Sequence, residues 1–542
     1  MHKFFALFVF QKTHKEEPVM QKSHWKRTLS LVSLVLLLLI PMGGQALTGS
    51  VYEVFVASYY DGNQDGMGDL PGLVQKLDYI KALGADNLWL MPIHPSPSYH
   101  KYDVLDYCAI DPDYGTMADF DTLLHEMDQR EMGLILDFVV NHTSNLHPWF
   151  LSACESLSIP DCGKETCTAN EGLCVRHNPY VQYYHFSKEE GGHSVPNAKD
   201  WFYKGSFGGH MPDLNLNSEL VRQELIDIMR FWLDKGVAGF RLDAVVHYYE
   251  ENVEQNTQFL QWLNQQAKMI KEDCYIVAEA WKDKQTIASL AESGIDSFFD
   301  FPMGNSTGEL VMSLKKREGA KFAQKVVAWQ DMLSLHNPNG VNATFLTNHD
   351  MGRISGVLVN QQPKMKMAAS MMILQRGIPF VYYGEEIGMS GSGRDENKRL
   401  PMLWDTTDQS GACLPPAMAD QTQRLTIGVM EQSQDPNSLW SHYHNLLTFV
   451  KEMPILQTGT MSAIDCGISS VAALNFDGLV QVYHNLDGKK PVVIPQVENG
   501  LLKGTFPAEN KAEITLVNGQ LTLPPLSTAV VVSDDYIHAT QK

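Results

Sequence analysis

From residue 51 onward, eight short runs rich in β-branched and aromatic residues alternate with amphipathic helical stretches. The runs lie at 51–59, 87–93, 133–141, 239–245, 275–280, 297–301, 343–347 and 379–383. Strand-like runs separated by whole helices cannot pair through tight turns, so they read as repeated βα units of a parallel sheet. Eight such units predict an α/β fold closed into a (β/α)8 TIM barrel, whose chemistry lies on the loops after the strand carboxyl ends. The polar residues follow that rule. Asp137 and His142 flank the end of the third run, Asp243 lies in the fourth, Glu279 in the fifth, and His349 and Asp350 follow the seventh.

Two departures from even spacing mark additions to the barrel. Some seventy residues rich in Gly, Pro, Asn, Cys and aromatics separate His142 from Leu214, too many for a plain loop. They predict an inserted subdomain over 143–214, with the barrel at 47–142 and 215–453. Beyond a helical stretch at 438–452 the chain changes to short alternating runs with Gly and Pro between them. This predicts a separate C-terminal antiparallel β-sandwich domain over 454–542.

The amino terminus carries a twelve-residue apolar run at 29–40, with Lys22, Lys26 and Arg27 before it and a small-residue stretch ending at Ala46 after it. A helix crossing the hydrocarbon core needs about 20 apolar residues, so this reads as a secretory signal peptide over 1–46 and not a stable membrane anchor. Met20 is an alternative start. The expected protein is secreted, extracellular or periplasmic. Its eight cysteines then permit disulfides. Four of them, Cys154, Cys162, Cys167 and Cys174, cluster, and two local bridges stapling a loop are expected there. A structural zinc site is the alternative, disfavoured because the spacings lack a paired C-x-x-C. The formal net charge of −21 has the wrong sign for a nucleic-acid coat.

The most specific signal is an ordered set of segments: Asp137-Phe-Val-Val-Asn141-His142, Gly239-Phe-Arg241-Leu-Asp243, Glu279-Ala-Trp281 and Thr347-Asn-His349-Asp350. Together they resemble the four sequence regions of the alpha-amylase family, glycoside hydrolase family 13. Segments 377–386 and 395–404 resemble that family around its eighth strand. Met211-Pro-Asp213-Leu-Asn215 resembles the fifth region of a bacterial group intermediate between oligo-1,6-glucosidases and neopullulanases. Elementary chemistry agrees, since cleaving a glycosidic bond with retention needs one carboxylate as nucleophile and one carboxylic acid as proton donor.

The resemblance implies that Asp243 is the nucleophile, Glu279 the acid and then the base, and Asp350 the group orienting sugar hydroxyls. It assigns substrate binding to Tyr102, His100, Asp103, His142, His349, Asp395 and Arg399. Arg241 lies two residues before Asp243 on the same strand face, where it can hold that carboxylate ionised. The loop Asp61, Asn63, Asp65, Met67 and Asp69 places oxygens at alternate positions with glycines between them, suited to Ca2+. It is not an EF-hand, because it follows a strand and carries Gly72 at the twelfth position. A second calcium site is expected at Asn141, Asp213 and the carbonyl of His247. The implied partner is a starch-type alpha-glucan or malto-oligosaccharide, bound by a monomer. Secretion favours an alpha-amylase over an alpha-glucosidase or transglycosylating enzyme on short oligosaccharides. A non-catalytic member, resembling transporter heavy chains or binding glucan only, is disfavoured by the intact Asp243, Glu279 and Asp350.

Overall fold

The computed structural model describes residues 47–167, 173–497, 500–509 and 513–540. The expected signal peptide over 1–46 lies outside the described residues. Among them no helix is long and apolar enough to cross a membrane.

All eight expected runs supply strands of one parallel sheet. In chain order they are β1 (Val51–Val54), β2 (Asn87–Leu90) and β3 (Gly133–Phe138), followed by three strands of the insertion, β4 (Phe186–Ser187), β5 (His193–Ser194) and β6 (Phe202–Tyr203). The barrel resumes with β7 (Gly239–Leu242), β8 (Tyr275–Ala278), β9 (Ser297–Phe298), β10 (Ala343–Thr344) and β11 (Ile378–Tyr382). The sheet runs β10-β11-β1-β2-β3-β7-β8-β9, and a parallel bridge from Phe299 to Ala343 joins its two ends. Helices cover the outside and side chains fill the inside, so these strands are buried on both faces and read as apolar runs without alternation. Trp89, Phe299 and Phe380 meet with ring centroids 5.0–6.2 Å apart, which makes this part of the barrel interior a packed core and not a pore.

The helix Glu219–Lys235 shows how local sequence sets this packing. Val221, Leu225, Ile228, Met229 and Trp232 recur at three- and four-residue spacing and are buried. The indole N–H of Trp232 donates to the Tyr107 carbonyl at 2.8 Å. The helix stops at Gly236, whose φ of +113° is the left-handed C-cap conformation that favours glycine.

The insertion holds the helix Pro148–Leu157 and the small sheet β4-β6-β5, tied to the barrel by the bridge between His142 and Asp213. The two disulfides expected there do not form: among the described residues every cysteine is unpaired. Cys154 is buried on the helix Pro148–Leu157, while Cys162, Cys167 and Cys174 gather around His177 with sulfurs 3.4–3.8 Å apart, beyond bonding reach.

The C-terminal region is a sandwich, as expected. Its strands are β12 (Met461–Ala463), β13 (Val471–Phe476), β14 (Val480–Asn485), β15 (Val492–Ile494), β16 (Gly500–Pro507), β17 (Thr515–Val517), β18 (Gln520–Leu523) and β19 (Ser527–Ser533). They form a five-stranded sheet, β12-β13-β14-β19-β16, against a three-stranded one, β15-β18-β17. It is less separate than its sequence suggests. Along β13, Val471 and Ala473 pack between the two sheets, while Ala472, Leu474 and Phe476 join the main barrel core. The alternation is apolar against apolar, because both faces of the larger sheet are covered. At Gly319, which opens a long helix of the barrel, an added Cβ would lie 2.4 Å from the Ala472 backbone nitrogen.

Candidate active site

One guanidinium organises the carboxyl ends of β3, β7 and β8. Arg241 is fully buried, and its Nη1 lies 2.9 Å from Asp137 Oδ1 and 2.7 Å from Asp243 Oδ1. Its Nη2 forms an ion pair with Glu279 Oε2 at 2.8 Å. Arg241 also lies over the Trp89 ring at 5.2 Å, which joins the charge cluster to the barrel core. The nucleophile and acid predicted from sequence are thus held side by side by one rigid fork.

Backbone strain contributes to this arrangement. Ala244, directly after Asp243, adopts φ +48° and ψ +42°, a left-handed conformation costing about 1–3 kcal/mol for a residue with a Cβ. It aims the Ala244 amide at Glu279 Oε2, to which it donates at 3.1 Å. Lys101 is likewise left-handed at φ +66° and ion-paired to Asp111 at 2.7 Å, which fixes the backbone just before Tyr102.

A second chain of polar groups runs across the barrel. Glu53 Oε1, on β1, lies 2.5 Å from His349 Nδ1. His349 Nε2 is 2.7 Å from the Tyr102 hydroxyl and 3.1 Å from Asp350 Oδ2. The Tyr102 hydroxyl donates to Asp137 at 3.0 Å, so the two networks meet there. Asp350 Oδ1 is paired with Arg399 Nη2 at 2.9 Å. Glu53 and Asp137 are the members that the sequence-based site set lacks. For Glu53 the available signal was a single charge inside an otherwise apolar strand.

These charges set the proton positions. Burial, reinforced by Asp243 and Asp350, pushes the Glu279 carboxyl up to about 7 against the opposing pull of Arg241. Burial also opposes ionisation of Asp350, but His349 and Arg399 overcome it and hold the carboxyl well below the usual range. His349 itself is disfavoured by burial, yet Asp350 and Glu53 raise it to about 9. Burial lowers His142, which stays neutral. Burial likewise pushes Asp137 up to about 7 against the pull of Arg241, but Asp137 lies behind the cavity, so Glu279 is the raised carboxyl that faces it, beside an Asp350 fixed as an anion by His349 and Arg399.

A cavity of 480 Å³ opens above these groups. Its walls include Tyr102, His100, His142, Asp243, Glu279, Asp350, Asp395 and Arg399. His142 Nε2 is buried without a hydrogen-bond partner, an imidazole nitrogen left for a ligand hydroxyl. Tyr102 stacks on His349 at 5.7 Å and 15°. Half-exposed Trp281, stacked on Phe301, and Phe207, lying between His142 and His247, complete the rim. Asp103 stands one layer behind. It accepts from Ser96 and Ser98, and Ser98 in turn contacts His100. Asp395 and Arg399 both line the cavity but take different partners: Asp395 pairs with Lys398 at 2.6 Å, and Arg399 binds Asp350 and the Tyr99 hydroxyl.

The two expected calcium sites differ in kind. In the loop 61–69, Asp61 is buried and accepts from the Gln64 and Gly66 amides, while Asp69 Oδ1 accepts from Gly62 and Gly72. Asp69 Oδ2 is buried with no partner, which leaves a carboxylate oxygen for a cation. This donor set fits Ca2+. Asn141, Asp213 and His247 do not fit. Asp213 already accepts from the Ser206 amide and hydroxyl and from the Asn141 amide, and the Lys204 ammonium stands 3.6 Å away. Lys204 supplies the positive charge that the sequence reading assigned to a metal.

Residues 53–459 match the family model described as the alpha amylase catalytic domain. Alpha-amylase 3 of Dictyoglomus thermophilum is 36% identical over 448 residues, 80% of this chain and 84% of that one. Glucan 1,6-alpha-glucosidase of Streptococcus pneumoniae is 30% identical over 494 residues, 79% of this chain and 88% of that one. Among solved structures, Eubacterium rectale Amy13B superposes with a TM-score of 0.84 at 36% identity, covering 90% of this chain and 95% of that one. With the paired carboxylates at the strand ends, these matches make the chain a member of the alpha-amylase family of retaining glycoside hydrolases.

Proposed function

We propose that this chain is a secreted alpha-amylase that acts as a monomer on internal alpha-1,4-glucosidic bonds of starch-type glucans and malto-oligosaccharides. One observation supports the depolymerising reading above the rest: Asp243 and Glu279 share an open cleft whose rim carries two half-exposed aromatic faces, Trp281 and Phe207. Sugar rings stack on such faces, so a chain longer than the cleaved unit has somewhere to lie. Arg241 holds Asp243 Oδ1, so attack on the anomeric carbon falls to Oδ2 and forms a glycosyl ester. Glu279 gives its proton to the departing glycosidic oxygen and then takes one from the water that hydrolyses the ester. Asp350, fixed as an anion by His349 and Arg399, accepts hydrogen bonds from sugar hydroxyls.

A second reading, a glucosidase cutting short oligosaccharides from one end, is favoured by the relative named glucan 1,6-alpha-glucosidase. Chromatography of early products from soluble starch, pullulan, maltotriose and isomaltose separates the two. A ladder of malto-oligosaccharides from starch supports the amylase. Glucose alone, or preferential cleavage of isomaltose, overturns it.

The loop at Asp61, Asn63, Asp65, Met67 and Asp69 is proposed to hold one structural calcium ion, apart from the reacting atoms. Calcium at about 100 times its dissociation constant would stabilise the fold by about 2.7 kcal/mol and raise Tm by about 3 °C for a chain of this size. Adding calcium to metal-free protein should produce that shift, and Asp65→Ala should abolish it. An unchanged Tm in the wild type overturns the site.

A further inference from the structure

Cys162, Cys167, Cys174 and His177 meet in the segment that follows the helix Pro148–Leu157. Their ligand atoms, three Sγ and His177 Nδ1, all lie within 4.8 Å of one another. Four points define six edges, and the six approximate a coordination tetrahedron, with the three edges to Cys162 at the ideal lengths and the three among Cys167, Cys174 and His177 about 0.3–0.4 Å shorter. The sulfur–sulfur edges are 3.8 Å for Cys162 to Cys167, 3.7 Å for Cys162 to Cys174 and 3.4 Å for Cys167 to Cys174. From Nδ1 to the three sulfurs, in chain order, the distances are 3.5, 3.2 and 3.1 Å. Bonds of about 2.3 Å from zinc to sulfur and about 2.0–2.1 Å to nitrogen give edges of about 3.8 and about 3.5 Å in a regular tetrahedron. A disulfide needs its sulfurs about 2.0 Å apart, and a thiol is too weak a donor to assemble such a cluster by hydrogen bonding.

The surroundings fit the same chemistry. His177 Nε2 lies 3.0 Å from the Glu165 carbonyl oxygen, which fixes the proton on Nε2 and turns a bare Nδ1 toward the sulfurs. The Cys174 amide donates to Cys167 Sγ at 3.4 Å, which ties that sulfur to the backbone of the next ligand. Asn178, next to His177, bonds Ser152 and Ser156 of the helix at 2.7–2.9 Å and anchors one end of the cluster to the subdomain.

We propose that Cys162, Cys167, Cys174 and His177 bind one zinc ion as a structural Cys3His site that clips this segment of the subdomain together. Binding sends three thiol protons to solvent and leaves Zn2+ with three thiolates and a neutral imidazole, a net charge of −1. Thiolate and imidazole ligands select zinc over the hard calcium ion expected at the loop 61–69. With four protein ligands the ion has no open position for water or sugar, so it acts on the fold and not on the glycosidic bond.

The test uses the full chain purified without chelators. Elemental analysis should find about one zinc per chain, retained through gel filtration in metal-free buffer, and Cys167→Ser and His177→Ala should both lose it. Cobalt-substituted wild type should show thiolate-to-cobalt charge transfer and the intense visible bands of tetrahedral cobalt, which decides the question even if a variant fails to fold. Zinc that washes out, iron in its place, or an intact mass lower by two hydrogens per bridge would overturn the proposal.

Discussion

Glu279→Gln should lower reducing-sugar release from soluble starch by about 10²–10⁴-fold, because it removes the proposed proton donor while leaving the cleft intact. Substrate affinity should change little. The pH dependence follows from the same group. As an acid, Glu279 works only while protonated, and burial with Asp243 and Asp350 nearby raises it to about 7. The free wild-type enzyme should therefore hold its kcat/KM at mildly acidic pH and lose it as pH rises through about 7. Asp350, held far below the usual carboxylate range, stays anionic throughout and contributes no limb in that window. Equal and negligible release by wild type and variant would identify a non-catalytic member of the family. An alkaline limb well below the raised value would show that Glu279 is not the group whose proton is used.

Arg241→Met should have the largest effect on stability. The substitution approximates the volume of the side chain but leaves Asp137, Asp243 and Glu279 sharing a buried site with no cation on them. Breaking one buried ion pair in this way costs about 3–5 kcal/mol, and here three carboxylates depend on one guanidinium. Burial already raises Glu279 and Asp137 to about 7 against the pull of Arg241, and without the guanidinium their folded-state affinity for protons rises further above that of the unfolded chain. Between the ordinary carboxylate range and the raised folded-state values the native state then binds more protons than the unfolded state, so stability falls as pH increases through that window. Denaturant unfolding at pH 5 and pH 8 should show the deficit growing toward pH 8. A deficit under about 1 kcal/mol that is flat with pH would mean the carboxylates are held by other groups.

The barrel was legible because its strands are buried on both faces. Such strands appear as apolar runs that helical stretches separate, and all eight fell where β1 to β3, β7 to β11 and their helices lie. The triad was legible because its members end those strands. What escaped depends on partners distant in the chain. Glu53 is a lone acid in β1 until the fold brings His349, 296 positions away, to within 2.5 Å. Asp395 and Arg399, four residues apart, read as a pair for binding sugar hydroxyls, but the short helix ends at Lys398 and the arginine turns to Asp350. The residues of the expected second calcium site do not fit the ion, because the Lys204 ammonium of the inserted subdomain, paired with Glu250 at 2.9 Å, also stands 3.6 Å from Asp213. The disulfides expected in the cysteine cluster are not formed among the described residues. The spacing Cys174-Val-Arg-His177 pairs a thiol with an imidazole, a pattern outside C-x-x-C.

The larger sheet of the sandwich, apolar on both faces, carries a consequence for how the enzyme comes apart. Ala472, Leu474, Phe476, Val480, Val482, Val530 and Val532 belong to the same continuous core as the barrel, and the buried Lys366 of the barrel donates from its ammonium to the Ala508 carbonyl. Neither part can open without wetting the other's interior, so calorimetry should record barrel and sandwich melting in a single transition. A chain ended at residue 453 would not be a smaller enzyme but an aggregating one, with a hydrophobic seam bared along its flank.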